Sequence, residues 1–497
     1  MAQQKKKKAA EKTVVEEKAL LDDLFDKVDM EVPAGPEMDT AGGRMSHALS
    51  ELIHSVVASG EKIERVDKTL LDGMITELDQ KISGQVDEVL HHEDFQKVES
   101  AWKGLKFLVD RTDFRRNTKL EILNVSKEDL MNDFEDVPEP YQSGLFKHMY
   151  KDEYDTPGGE PIGAIIANYE FSNNPQDIAL LNNASKIAAS CHAPFLGSVG
   201  QNFLGLRSID ELTTIPDVAP LFETPEFTKW NAFRDTEDSR YVGLTLPRFL
   251  LRLPYGEDTT PAKTFNYNEK VTGEEHNKYL WGNGSFAMAS CLTQSFAEHG
   301  WCVNIRGPQS GGVVEDLPLH NYEAAGDTVT KIPTEVLMSE RREFELAELG
   351  FMPLSFYKNR DYACFFSANS CQKPKQYIDP DSTANSRLSA RLPYLFLVSR
   401  LSHYLKVIQR ENIGAAKEKD DLQLELVEWL NQYVTEDKSP SVDAKAKYPL
   451  SMAKIEVTDI ADNPGFYNVE MLVRPHFQIE GVDVSLSLVS RLPKGKK

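Results

Sequence analysis

The chain has 497 residues, of which 40% are hydrophobic and 27% are charged, a composition typical of a soluble globular protein with two or three domains. Its net charge of −22 disfavours nucleic acid as a partner, and no apolar run is long enough for membrane insertion. Five cysteines without a CxxC pair predict a reducing compartment, the cytoplasm, and argue against a disulfide framework or a cysteine zinc site.

Residues 1–44 are predicted to form an arm ahead of the globular body. It begins with a charged, disordered tail and ends with the linker EVPAGPEMDTAGG. Between them, residues 19–28 predict a short helix with an apolar stripe on one side and an acidic face on the other. The stripe is formed by Leu20, Leu21, Leu24 and Phe25. Such a helix either docks in a groove of another protein or packs on its own domain, and the sequence leaves both open.

Residues 45–150 predict a helical N-terminal region, and residues 151–435 predict an α/β body. In the first region, LEILNV predicts a strand, and Ser126 predicts the N-cap of the helix that follows it. Within the body, EPIGAIIANYEF predicts a buried strand, and DIALLNNASKIAASC predicts the helix after it. The expected fold class is therefore a mixed α/β fold.

Residues 436–497 predict a β-rich C-terminal segment. KIEVTDI and FYNVEMLVRPHFQI are its first two predicted strands, and a third lies near the C-terminus. In this third strand the apolar residues alternate with polar ones, which is typical of a half-buried strand. The apolar residues are Val482, Val484, Leu486 and Leu488. A strand at the end of a chain can extend its own sheet or be added to the sheet of a neighbouring chain.

Arginines interrupt the otherwise apolar run SRYVGLTLPRFLLRLPYG at 239–256. They are Arg240, Arg248 and Arg252. Because a buried arginine needs a partner, they indicate either a ligand clamp or structural ion pairs. The acidic residues just upstream favour an ion-pair network, and they are Asp235, Glu237 and Asp238. If 248–253 is extended, Arg248, Leu250 and Arg252 share one face, and the other face packs on a core.

Four further motifs favour structural interpretations, so no catalytic, cofactor-binding or metal-binding residue is predicted. WGNGSFA at 281–287 matches GxGxxA, but its flanks predict helix, so its small residues indicate close helix packing. RGPQSGG at 306–312 lacks the GK[ST] of a phosphate loop and predicts an exposed turn. HHED at 91–94 predicts a solvated helix end, because adjacent histidines diverge on a helix. Cys191, beside His192, predicts core packing.

Several long blocks follow one another in a distinctive order from about residue 100 to the C-terminus. They include WNAFRDTEDSRYVGLTLPRFLLRLPYG, YLWGNGSFAMA, HGWCVNIRGPQSGGVVEDLP, PTEVLMSERREFELAELGFMPL, LVEWLNQYV and NPGFYNVEMLVRPHFQI. In this order they resemble the large subunit of the bacterial type VI secretion contractile sheath, the TssC/VipB family. The resemblance implies a contractile phage-tail-sheath-like core with extended terminal arms, and a protein that is not an enzyme.

The resemblance also implies a set of partners. Family members form a heterodimer with a small sheath subunit (TssB/VipA), and copies of it polymerise around an inner tube of haemolysin-coregulated protein. This sheath grows from a baseplate in the cytoplasm and contracts to propel the tube and its spike out of the cell. Terminal arms add strands to neighbouring sheets, so 482–489 is implied as a linking strand. The AAA+ unfoldase ClpV recognises an N-terminal helix, so 19–28 is implied as its docking site.

Two other functions stay open at this stage. A cofactor- or nucleotide-dependent cytoplasmic enzyme would use the 281–287 loop together with Arg248 and Arg252. An adaptor would bind other proteins without forming filaments. The sequence also leaves open which strands cross between protomers.

Overall fold

The computed structural model describes residues 68–459 and 467–476 together with Gln478. The first range excludes Thr264, Thr272, Glu274, Ala325, Glu436 and Lys438. The chain divides into two units, Met1–Leu78 and Asp79–Lys497. Residues 68–78, which begin the first helix, are the described part of the first unit. The predicted docking helix at 19–28 and the predicted strand at 482–489 lie outside the described residues.

Helices and strands alternate through most of the described chain. The α-helices are α1 (Lys68–Leu90), α2 (Glu93–Arg111), α3 (Lys127–Glu135), α4 (Gly144–Phe146), α5 (Pro175–Cys191), α6 (Thr228–Arg234), α7 (Gly284–His299), α8 (Glu340–Glu348), α9 (Pro380–Ser389), α10 (Leu392–Glu411), α11 (Lys419–Asn431) and α12 (Val442–Lys447). The strands are β1 (Ile165–Phe171), β2 (Phe195–Val199), β3 (Val242–Leu246), β4 (Phe249–Leu250), β5 (Trp281–Gly282), β6 (Val313–Val314), β7 (His320–Ala324), β8 (Asp327–Lys331), β9 (Phe351–Phe356), β10 (Ala363–Phe365), β11 (Leu450–Asp459) and β12 (Tyr467–Pro475). A π-helical segment, Lys147–Asp155, follows α4.

Most of the described residues before the central sheet are helical. α3 begins with a capping box, because the Ser126 hydroxyl accepts a hydrogen bond from the Asp129 amide at 3.0 Å and the Asp129 carboxylate accepts one from the Ser126 amide. The predicted N-cap is therefore confirmed. The strand predicted at LEILNV is wrong. These residues join no sheet of the described chain, and two of their aliphatic side chains are more than half exposed.

The central sheet has six strands in the order β1-β2-β3-β9-β10-β6. The first four are parallel to one another, and β10 and β6 are antiparallel to their neighbours. Successive residues of a strand point to opposite faces, so Phe195 packs in the core that contains α5 and Leu196 packs in the core that contains α7. Helices thus cover both faces of the sheet, and the predicted mixed α/β class is confirmed.

The C-terminal segment is an antiparallel hairpin packed on two helices. β11 and β12 pair from Leu450↔Pro475 to Asp459↔Tyr467, and they match the two strands predicted there. The inner face of the hairpin, including Ile455 and Val457, shares a core with α10 and α11. Trp301, which follows α7, also lies in this core. The hairpin is therefore attached to the body through helices that precede the predicted boundary at 435.

The five cysteines are free. Burial raises the pKa of the Cys191, Cys291 and Cys302 thiols to about 12 and raises those of Cys364 and Cys371 as well. Cys191, the last residue of α5, is packed in the core, as predicted. In the part of the chain that the structure describes, no helix combines the length and apolar character needed to cross a membrane.

A histidine of α10 is buried where this helix meets the end of α5. The Nε2 of His403 lies 2.8 Å from the carbonyl oxygen of Cys191, and its ring is 5.7 Å from that of Tyr154 and 6.3 Å from that of His192. Its Nδ1 has no hydrogen-bond partner among the described residues. Burial lowers the pKa of His403 to about 4, so the ring is neutral in the folded protein at neutral pH.

Because His403 is buried in its neutral form, we expect acidification to weaken the fold. The unfolded chain takes up a proton near pH 6.5 and the folded chain only near pH 4, so stability is lost as the pH falls between these values. We expect His403→Gln, whose amide can still donate to the Cys191 carbonyl, to reduce the loss between pH 7.5 and pH 5 by about 2 kcal/mol. Urea unfolding at the two pH values measures it. His148→Gln, at an exposed position, is the control. An equal loss of unfolding free energy between pH 7.5 and pH 5 in both variants would contradict the prediction.

Candidate functional site

The arginine-bearing run continues from the central sheet into a second layer. After β3 the Leu246-Pro247 peptide is cis, and β4 then pairs with β5. Phe249 is buried in the core beside α7, whereas Leu250 is buried in a separate cluster with Tyr279 and Trp281. The predicted single buried face is therefore wrong. Both faces are covered, because the chain that returns to β5 packs over the side that carries the arginines.

Arg248 is paired with Glu335, which lies between β8 and α8. The Nε and Nη2 of Arg248 donate to Glu335 Oε1 at 3.0 and 2.7 Å, and the Arg248 amide donates to Oε2 at 2.9 Å. His276 Nε2 lies 3.0 Å from the same carboxylate. Glu170, at the end of β1, is 3.9 Å from Arg248 Nη1. One buried carboxylate thus joins the end of β3 to the segments around 276 and 335.

The surroundings of Glu335 keep its carboxylate ionised. Burial by itself would raise the pKa, but hydrogen bonds from His276 and Arg248 and the charge of Arg248 outweigh burial and hold the pKa of Glu335 at about 2. Because this pKa is below the unfolded value of 4.5, the pairing stabilises the fold at neutral pH. That contribution is lost as the pH falls from about 4.5 towards 2.

Arg252 lies between two carboxylates from distant parts of the chain. Its Nε donates to Glu99 Oε1 of α2 at 2.7 Å, and its Nη1 donates to Glu269 Oε2 at 2.7 Å. The side chains of Arg252, Glu99 and Glu269 are 10%, 11% and 1% exposed. The guanidinium also lies over the Tyr255 ring, 4.5 Å from its centre. This cation is enclosed and fully engaged by groups of its own chain.

The HHED motif contributes to the same network. His91 Nε2 is 3.0 Å from Glu269 Oε1, and the His91 side chain is 14% exposed. The predicted solvated end is therefore wrong for His91, because the chain turns between α1 and α2 and directs this ring inward. It holds for His92, Glu93 and Asp94, which are largely exposed.

Further hydrogen bonds fasten the N-terminal helices to the second layer. Ser100 donates to the Trp281 carbonyl at 2.7 Å, and Gln96 donates to the Asn277 carbonyl at 2.9 Å. The Tyr267 hydroxyl donates to Asp87 at 2.6 Å. Together with Arg252, these contacts connect the end of α1 and one side of α2 to residues 250–281. We call this set of contacts the Arg252 network.

The predicted acidic partners of Arg248 and Arg252 are wrong. Asp235, Glu237 and Asp238 lie before β3, at the opposite end of a strand about 16 Å long, and Arg248 follows its other end. Arg240 donates its Nε to the backbone carbonyl of Glu237 at 2.9 Å, and the Glu237 carboxylate is 3.6 Å from Lys375. Ion pairing as such is correct for Arg248 and Arg252, and their carboxylates belong to the same protomer.

The glycines of WGNGSFA serve close packing, as predicted. Asn283 caps α7 by accepting a hydrogen bond from the Ser285 amide. A Cβ at Gly284 would lie 2.8 Å from the Thr245 hydroxyl, and one at Gly282 would lie 2.6 Å from the Leu251 side chain. These glycines let α7 and β5 approach β3 and the arginine run closely.

The arrangement therefore holds parts of one chain together. The guanidinium groups of Arg248 and Arg252 already have carboxylate partners, so neither of these arginines offers a free cation to a phosphate or carboxylate ligand. Glu99, Glu269 and Glu335 were missed by sequence reasoning. They stand 153, 17 and 87 residues from their arginines, and no local pattern distinguishes them from surface carboxylates.

Comparisons with known proteins give the family. A family model described as EvpB/VC_A0108, tail sheath N-terminal domain, matches residues 72–372, more than half of the chain. A second, the EvpB/VC_A0108 tail sheath gpW/gp25-like domain, matches residues 381–492. The type VI secretion system sheath protein TssC1 of Pseudomonas aeruginosa strain PAO1 is 45% identical over 466 residues, covering 93% of this chain and 94% of that protein. The chain belongs to the type VI secretion sheath family.

Membership of the sheath family confirms the resemblance drawn from the sequence and the expected sheath-like core. The chain is thus a structural sheath protein, and the Arg252 network lies within its N-terminal sheath domain. Solved structures also match, at TM-scores below 0.5. The anti-feeding prophage baseplate has a TM-score of 0.35, 10% identity, and coverage of 76% of this chain and 84% of that chain. The PVC sheath complex in the contracted state has a TM-score of 0.34 and 8% identity, and the match covers 62% of this chain and 68% of that chain.

Proposed function

We propose that this sheath protein is the large subunit of a contractile polymer. It forms a heterodimer with the small sheath subunit TssB/VipA, and the heterodimers polymerise around an inner tube of haemolysin-coregulated protein. The sheath grows from a baseplate in the cytoplasm and contracts to propel the tube and its spike out of the cell. In a chain of this family, the observation that carries the proposal is the β11–β12 hairpin.

The hairpin is suited to linking protomers by strand addition. Apart from one bridge between Val434 and Leu450, its two strands pair only with each other in the described part of the chain. Among the described residues, none pairs with the outer edge of β12, so its backbone groups are available to a strand from a neighbour. Its outer face also exposes Met452 and Leu472, by 39% and 60%. A two-stranded sheet is marginal alone, so added strands would stabilise it.

Strand addition also suits a lattice that changes shape. Backbone hydrogen bonds are directional and independent of side chains, so such a link persists while the domains rotate around it. Contraction requires an extended lattice that is metastable against a second packing of the same subunits. A small free-energy preference of each subunit for the second packing adds up along the tube. Links repeated along the lattice also make individually weak contacts effectively permanent.

The outer face of α2 supports association with another chain. Phe95, Val98 and Trp102 recur at helical spacing, and they are 40%, 57% and 68% exposed. Exposed apolar faces that include tryptophan are typical of protein interfaces. The Arg252 network holds α2 on the body, so this face is presented on a fixed element.

The same proposal assigns no enzymatic role to the chain. Its support is that Arg248 and Arg252 are engaged by Glu335, Glu99 and Glu269, while side chains surround the WGNGSFA glycines. The residues that an enzyme would have needed for a phosphate site are used for packing and ion pairing.

Co-expression with the small sheath subunit tests the proposal. Negative-stain microscopy of the purified complex should show long tubes. Small complexes without filaments would indicate an adaptor. Absence of tubes together with a rise in melting temperature on adding NAD or ATP would indicate an enzyme instead.

The proposal includes docking of the AAA+ unfoldase ClpV on the predicted helix at 19–28. Leu24→Asp with Phe25→Asp should reduce capture by the unfoldase at least about tenfold, because charge on the apolar stripe opposes burial in a groove. Tube formation should be unchanged. A pull-down with the purified unfoldase measures binding, and Asp22→Ser with Asp26→Ser, on the opposite face, is the control. Binding that survives the double aspartate change would exclude this stripe as the docking site.

A further inference from the structure

The RGPQSGG loop is only partly the exposed turn that the sequence predicts. Its tip at Pro308 and Gln309 is exposed, but Arg306 is buried at 6% exposure. Gly307 donates to the Phe365 carbonyl at 2.7 Å, and the Phe365 amide donates to the Gly312 carbonyl at 2.9 Å. The loop is thus fixed to β10 at both ends, and it holds the Arg306 side chain at a defined position.

Both ends of the Gln478 side-chain amide are hydrogen-bonded, one to the first residue of this loop and the other to the residues just before it. Its Oε1 accepts from Arg306 Nε at 2.8 Å, and its Nε2 donates to the Val303 carbonyl at 3.1 Å, with Asn304 Oδ1 at 3.5 Å. The Gln478 backbone amide donates to the Tyr394 hydroxyl at 3.0 Å. The bond from Arg306 is charge-assisted and therefore stronger than one between neutral groups.

These contacts join the two family domains. Arg306 and Val303 lie within the matched N-terminal sheath domain, whereas Tyr394 and Gln478 lie within the matched gpW/gp25-like domain. His476, two residues before Gln478, has partners in one domain only. His476 donates its amide to the Pro449 carbonyl and contacts Thr435, so its partners belong to the C-terminal domain alone. Of the two described residues after β12, Gln478 is the one whose hydrogen bonds reach both domains.

We propose that Gln478 is the anchor that fixes where the C-terminal segment leaves the body. The inference rests on the proposed linking role of 482–489, which begins four residues later. Four residues span at most about 14 Å, so the anchor confines the start of that strand to a small region. Force on the strand during contraction would pass through Gln478 to Arg306 and Tyr394, and so reach both domains. The anchor also lowers the ordering cost of pairing with a neighbour.

Replacing Gln478 tests the anchor. In the heterodimer, Gln478→Leu should speed hydrogen exchange of the backbone amides around 478 about tenfold, because the local segment opens more easily. The melting temperature should not change, and the number of tubes per field should fall several-fold. Gln478→Glu keeps an acceptor for Arg306 but loses the donor to the Val303 carbonyl, so it should retain only part of the protection. Gln309→Leu, on the exposed tip of the same loop, is the matched control.

The outcomes separate the anchor from the proposed function. Unchanged exchange around 478 and normal tube numbers in Gln478→Leu would overturn the anchor. An equal effect of Gln309→Leu would overturn it as well. If the unmodified heterodimer forms no tubes, the proposed sheath function fails, and the exchange measurement still decides whether Gln478 holds the segment.

Discussion

Replacing Arg252 with methionine should lower the free energy of unfolding by about 3–5 kcal/mol. The change removes the guanidinium and leaves Glu99 and Glu269 buried together, with His91 as the remaining contact of Glu269. Methionine keeps much of the volume, so the loss reflects electrostatics rather than a cavity. Urea denaturation of the purified protein, followed by tryptophan fluorescence, measures the change.

Two companion variants show whether the charge is responsible. Arg240→Met should cost less than about 1 kcal/mol, since Arg240 donates only to a backbone carbonyl in the described contacts. Adding Glu99→Gln and Glu269→Gln to Arg252→Met should recover part of the loss, because neutral amides tolerate burial better than unpaired carboxylates. A loss in Arg252→Met no larger than that in Arg240→Met would contradict the Arg252 network.

Deleting residues 482–497 should abolish tube formation while leaving the heterodimer intact. The deletion removes the proposed linking strand but retains both strands of the hairpin and Gln478. Without added strands the lattice loses the backbone links between protomers, and weaker lateral contacts remain. Negative-stain microscopy counts the tubes, and size-exclusion chromatography checks the heterodimer.

A shorter deletion provides the control. Removing only 493–497 leaves the alternating strand in place and takes away the lysine-rich end, so tubes should form as in the full chain. Normal tubes from the longer deletion would show that linkage does not need this strand. Failure of both deletions alike would point to the last five residues instead of the strand.

Local signals in the sequence predicted local structure well. The capping box at Ser126 and the strands around 450–475 depend on residues close together in the chain, and both are present in the structure. The strand predicted at LEILNV was wrong because strand formation depends on residues far away in the chain. A strand needs a partner, and the fold provides none in the described chain, so β-type residues run along the surface.

The pairing of the arginines could not be predicted for a similar reason. Arg248 lies beyond β3, and it meets Glu335 because the backbone at 248–249 pairs with the backbone at 334–335. Which carboxylate arrives there is a property of the topology and not of neighbouring residues. The upstream acids were close in sequence but were separated from Arg248 by the full length of a strand. The sequence indicated which arginines need partners, whereas the tertiary topology determines which carboxylates contact them.

The buried thiols have a consequence for experiments on the assembled sheath. Thiolate is the reactive form of cysteine, and burial raises the pKa of Cys191, Cys291 and Cys302 to about 12. The native cysteines are therefore poor nucleophiles at neutral pH. A cysteine introduced at an exposed hairpin position, such as Glu456 or Glu470, would be alkylated or cross-linked selectively. Chemical labelling can thus follow the surroundings of β11 and β12 before and after contraction in the natural sequence background.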